Sequence, residues 1–93
     1  MKTVFKYPLS AADEQIIEMP IGSVPLSVQM QNGKACLWAL VNTAAEMGKL
    51  NIIICGTGHN IDERKIHKHI STFQMAGGSL VFHAFEGFWT KGS

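Results

Sequence analysis

The sequence predicts a mainly β fold, a small antiparallel β-sandwich or barrel of six to seven strands with one short helix. Three observations lead there. Turn-forming residues recur at short intervals, at Pro8 to Ala12, Pro20 to Pro25, Gln31-Asn32-Gly33, Gly48, Gly56 to Asn60 and Ala76-Gly77-Gly78, leaving stretches of strand length between them. Leu26, Val28 and Met30 alternate with Ser27, Gln29 and Gln31, as a strand with one buried face does. Asn32-Gly33 then supplies the positive φ that both central positions of a type I′ hairpin need.

Taken in order, Thr3 to Tyr7 and Glu14 to Met19 read as strands, the second with a less defined face because Ile16 and Ile17 are adjacent. Pro8, Pro20 and Pro25 fall at strand ends, where a missing donor does least harm. Beyond the Asn32-Gly33 turn, Cys36 to Val41 is apolar on both faces and reads as a central strand covered from two sides. Ala44 to Leu50 contains Gly48 and reads as a loop or single turn. Ile52 to Cys55 is an apolar strand. Asn60 to Ile70 is the helical candidate, of one turn or two, with Asn60 as N-cap, Glu63 three residues on, and Ile66 and Ile70 on one face. A second hairpin joins Ser71–Met75 to Leu80–Phe85 across Gly77-Gly78, with Phe73 and Met75 inward and Thr72 and Gln74 outward. All 93 residues form one domain, with 87–93 expected as a loose tail.

A domain of this length buries only roughly 60 to 65% of the surface of its unfolded chain. Charged residues are 16% of the chain, against about 25% in typical soluble domains. Sparse charge and a thin core together predict apolar surface covered by a second copy, hence a homo-oligomer, most simply a dimer. Seven lysines and one arginine are scattered and the net charge is +1, so no polybasic stretch suits a nucleic acid polymer. No run approaches the ~20 apolar residues of a membrane helix, and the first residues lack the apolar core of a signal peptide, so a cytoplasmic protein without membrane contact is expected. Cys36 and Cys55 form no Cys-x-x-Cys pair and read as small core residues, with a disulfide between them the alternative.

The candidate site is the exit of the Ile52–Cys55 strand. Gly56 and Gly58 let a bound group approach the main chain, while Thr57, His59 and Asn60 offer hydroxyl, imidazole and amide. If the loop leads into a helix N-terminus, free amides together with Arg64 and Lys65 would favour an anion. A tight strand exit with no ligand is the plainer reading of Gly-Thr-Gly, and a solvated helix face that of Arg64. His67-x-His69 with His59 or His83 could be imagined as a metal site, yet no complete ligand set is spaced for one, and His83 reads as an inward or pairing side chain with a satisfied hydrogen bond. No metal or cofactor is expected. Trp38 reads as core and Trp89 as an interface aromatic. Nucleophile elbows, Cys-His signatures, paired carboxylates and the Walker pattern are all missing, which argues for binding without catalysis.

Tyr7-Pro8-Leu9, Asp13-Glu14-Gln15, Leu26-Ser27-Val28-Gln29 with Gln31-Asn32-Gly33, Leu37-Trp38-Ala39-Leu40-Val41, Gly56-Thr57-Gly58-His59, Thr72-Phe73-Gln74 and Leu80-Val81-Phe82-His83 together resemble a family of small uncharacterised tailed-phage proteins. The likeness runs from about Phe5 to Glu86. It implies a viral protein working in the host cytoplasm and carries no activity of its own. In that setting the expected function is a non-enzymatic counter-defence protein that sequesters a small anionic or nucleotide signal. The alternatives are a protein-binding inhibitor of a host factor and a minor virion structural or assembly protein.

Overall fold

The structure, a computed structural model, describes residues 1–91. Seven strands are present among the described residues: β1 Lys2–Pro8, β2 Glu14–Pro20, β3 Val24–Gln31, β4 Lys34–Asn42, β5 Met47–Gly56, β6 Lys68–Met75 and β7 Leu80–Lys91. They form two antiparallel sheets, one ordered β1-β4-β3 and the other β2-β5-β7-β6. The fold is the mainly β sandwich expected from the turn spacing.

Alternation decides which residues close the core. Leu37, Ala39 and Val41 of β4 face inward with Val28 of β3, against Met19, Leu50, Ile52, Phe73 and Ala84 of the other sheet. One side of the sandwich is sealed where β3 meets β6. There the Ser71 hydroxyl accepts the Val28 N–H and donates to the Val28 carbonyl, both at 2.8 Å. This satisfies the two backbone groups that a sheet edge would otherwise leave unpaired. On the opposite side β1 and β2 remain open edges.

The Asn32-Gly33 turn is formed as the dipeptide requires, with φ of 51° and 82°, and places Gln31 opposite Lys34. The second hairpin is also found, with Phe73 opposite Phe82 and Met75 opposite Leu80.

Other expectations are corrected. Asn60–Ile70 is no helix beyond the 3-10 turn Glu63–Lys65, capped by Asp62 rather than Asn60, because Ile66 is already extended and Lys68 pairs with Glu86. Ala44–Leu50 is a loop only to Glu46: Met47 starts β5, and Lys49 and Leu50 pair with β2 and β7. Leu26 is exposed rather than inward, because the register shifts between Pro25 and Ser27 and the bulge turns it out. Only one face of β4 is fully covered, and Trp38, on the other face, is half-buried. The expected tail is strand from Gly87 to Lys91, held by pairing of Trp89, Thr90 and Lys91 with Leu50, Lys49 and Gly48; residues 92 and 93 lie outside the described residues.

Candidate functional site

Gly56 ends β5 opposite Phe82, and Gly56–Asn60 turns away from the sheet with His59 N–H donating to the Gly56 carbonyl at 3.0 Å. The His59 ring folds back over Gly56 so closely that a Cβ there would lie 2.9 Å from Nδ1. His59 is exposed and its ring has solvent to turn into, so this contact is cheap to relieve. Thr57, Gly58, His59 and Asn60 are exposed.

Thr57 points along the outer face of the larger sheet, where its Oγ1 lies 2.7 Å from His83 Nε2. The other nitrogen, Nδ1, lies 2.9 Å from Thr72 Oγ1, which is in turn 3.4 Å from His69 Nε2. Both His83 nitrogens are engaged by hydroxyls, with no carboxylate in the row to orient a base. The arrangement is a polar surface ladder. Its signal was in the sequence as the outward parity of Thr72; His83, read as inward or pairing, pairs on the outer face because its neighbour Ala84 takes the core side.

Arg64 lies elsewhere. It lines a depression of about 400 Å³ with Glu14, Ile16, Asn51, Lys65, Phe88 and Thr90, and none of residues 56–60 joins it. Asp62 grips the guanidinium through Nε at 3.1 Å and Nη2 at 3.0 Å and also accepts the Arg64 backbone N–H. The carboxylate therefore takes the capping position and the charge that an anion was expected to use. Lys65 donates to Glu14 at 3.0 Å. The Arg64 side chain and its backbone N–H hold the Asp62 carboxyl below the usual range, as the Asn51 amide and Lys65 do for Glu14. Both tethers are complete above the ordinary carboxylate range and weaken as pH falls through the lowered values.

Trp89 faces inward and packs on the core, with Cε3 near Gly48; the exposed aromatic of that strand is Phe88. Among the described residues no three His, Cys, Asp or Glu side chains gather as a metal would need, and both cysteines are free thiols. No helix among them is long and apolar enough to cross a membrane.

The feature that sequence reading missed is a cavity of about 480 Å³ at the end of the sandwich that carries the Asn32-Gly33 turn. The linker Leu9–Asp13 forms one wall, Gly33, Lys34 and Ala35 a second, and Ile54, Phe73, Met75 and Phe82 the floor. Its size falls in the roughly 300 to 1,000 Å³ range of small-molecule pockets. Phe73 and Phe82 stack with centroids 5.9 Å apart; Phe73 is buried beneath, so half-buried Phe82, with Ile54 and Met75, presents the apolar surface beside Ser10, Asp13 and Lys34. Gly56, opposite Phe82, is the candidate residue tied most directly to this cavity.

A family model described as a domain of unknown function (DUF7352) matches residues 1–90. No curated protein and no solved structure matches the chain.

Proposed function

Since the chain belongs to the DUF7352 family, whose description assigns no activity, we propose from its own geometry that it is a non-enzymatic binding protein that sequesters a small anionic molecule with a planar or apolar body, such as a nucleotide. The observation that supports this is the end cavity: an apolar floor at Phe82, backed by buried Phe73, with Lys34 at its wall. A planar ring would lie against the floor, a phosphate would pair with Lys34, and Asp13 or Ser10 would take a hydroxyl or amine. The cavity replaces Gly56–Asn60 as the proposed pocket, because Arg64 lies apart from that loop and is already paired. Counter-defence work in a phage-infected host cytoplasm belongs to the same proposal and rests on the sequence resemblance alone.

Calorimetry with cyclic dinucleotides, linear nucleotides and ADP-ribose derivatives tests it. Lys34→Glu should weaken a binding compound by roughly tenfold to a hundredfold, the loss expected for a charge-assisted hydrogen bond. Arg64→Ala should leave binding within about twofold and the melting temperature essentially unchanged, as exposed surface changes do. If no compound binds the parent at micromolar affinity while a host protein co-purifies, the inhibitor reading takes its place.

A further inference from the structure

We propose that two copies of this chain join through their open sheet edges, β1 of each pairing antiparallel with β2 of the other, in the register that sets Val4 against Ile16. Four independent features of the two strands agree on this arrangement.

The first is which backbone groups are spare. Thr43 donates to the Met1 carbonyl and Leu9 to the Ala35 carbonyl, so the odd residues of β1 turn their N–H and C=O toward β4. Lys2, Val4 and Lys6 must then turn theirs outward. In β2, Ile21 donates to Glu46 and the Asp13 carbonyl accepts from Ile54, so odd residues again face the partner strand and Glu14, Ile16 and Glu18 face out. Pairing Val4 with Ile16 brings outward groups against outward groups along the whole seam, at Lys2 with Glu18 and at Lys6 with Glu14.

The second is charge. The same six residues point from the outer faces of their sheets, since Val4 and Lys6 are opposite Leu40 and Trp38 while the inward row runs through Leu37, Ala39 and Val41. Lys-Val-Lys on one edge thus meets Glu-Ile-Glu on the other. Pairing β1 with its own copy about Val4 would set Lys2 against Lys6, and pairing β2 with itself about Ile16 would set Glu14 against Glu18. Like charges directly opposite are destabilising, so the edges resist self-pairing and suit each other. Shifting the seam by two residues along either strand keeps neither charge pair, and shifting it by four keeps one. Glu14 already accepts from Lys65 and Asn51, which leaves Lys2 with Glu18 as the pair formed wholly by association.

The third is topology. Both edges lie on the side opposite the Ser71 seam, so one two-fold axis forms both joints at once and leaves no open edge on that side. The fourth is exposure. Val4 is 49% exposed, Ile16 61% and Phe5, on the inner face of β1, 43%, although all three are strand residues with apolar side chains. The joint covers them.

Sedimentation equilibrium on the full chain, with circular dichroism to check folding, decides the matter. The parent should run at twice its 10.2 kDa chain mass at micromolar concentration. Glu18→Lys should raise the dissociation constant at least about tenfold, since it sets like charges together in both joints. Adding Lys2→Glu to it should restore the dimer. Val4→Pro removes only an outward donor, as an edge strand allows, and should give a folded monomer. A monomeric parent, a dimer indifferent to Glu18→Lys, or a charge-swapped double variant that stays monomeric while folded would each overturn the proposal.

Discussion

Truncating Leu37 to Ala should cost about 2 to 5 kcal/mol of stability, the range measured for large-to-small changes in close-packed cores. Leu37 is fully buried at the middle of β4, the central strand of its sheet, and faces the opposite sheet across the core. Total stabilities of single domains are only about 5 to 15 kcal/mol, so much of the native population is at risk. In a domain of this size each kcal/mol lowers the melting temperature by about 4 to 8 °C. Thermal melts of Leu37→Ala beside Leu40→Ala, whose side chain is half-buried on the outer face, make the comparison. Equal losses would mean that the core does not lie between the two sheets.

Gly87→Ala should be the most damaging of the glycine substitutions, at roughly 1 to 3 kcal/mol or more, as overpacking is. Residue 87 lies at the irregularity where β5 and β7 shift register, with the Lys65 carbonyl close by. A Cβ there would sit 2.9 Å from the Asn51 carbonyl oxygen and 3.1 Å from the Lys65 carbonyl oxygen. Both are backbone atoms, so neither can rotate away. Gly48→Ala offers the contrast. Its Cβ would meet Ile21 Cγ1 at 2.6 Å, but Ile21 is 42% exposed and its side chain has solvent to turn into. Denaturant melts should rank Gly87→Ala clearly below Gly48→Ala in stability. The reverse order would show that the loop carrying Lys65 does not rest against β7.

What was legible in the sequence follows from how local each feature is. Asn32-Gly33 specifies its turn through its own backbone preferences, so the hairpin, its register and the inward faces of Val28 and Leu37 could be read directly. Leu26 breaks the same alternation because a bulge is set by the partner strand, which no single segment reveals. Asn60–Ile70 carries helical spacing, yet cross-strand pairing from Lys68 onward outweighs it. The strand character of Gly87 to Lys91 was hidden for a similar reason: it depends on distant β5 for its partner.

The site shows the same division. Gly56 to Asn60 stands out by composition, and the structure places it as an exposed turn whose Thr57 lies within hydrogen-bond distance of His83. The cavity's apolar lining is three alanines, a leucine, an isoleucine, a methionine and two phenylalanines, brought together by the Leu9–Asp13 linker, β5 and the two hairpins. Such residues announce nothing in sequence. Only their convergence makes a pocket, and Lys34 gains meaning from sitting beside Phe73 and Phe82 rather than from any motif.

Amide chemical-shift mapping during titration with a compound found to bind locates the ligand without altering the protein. If the end cavity is the binding site, the largest shifts fall on Ala11, Ala12, Gly33, Lys34 and Ala35, with Met75 and Phe82 beneath them, and Gly58 to Asn60 and Arg64 move little. Shifts concentrated on Thr57 to Asn60 and Arg64, with Gly33 to Ala35 unmoved, would contradict it.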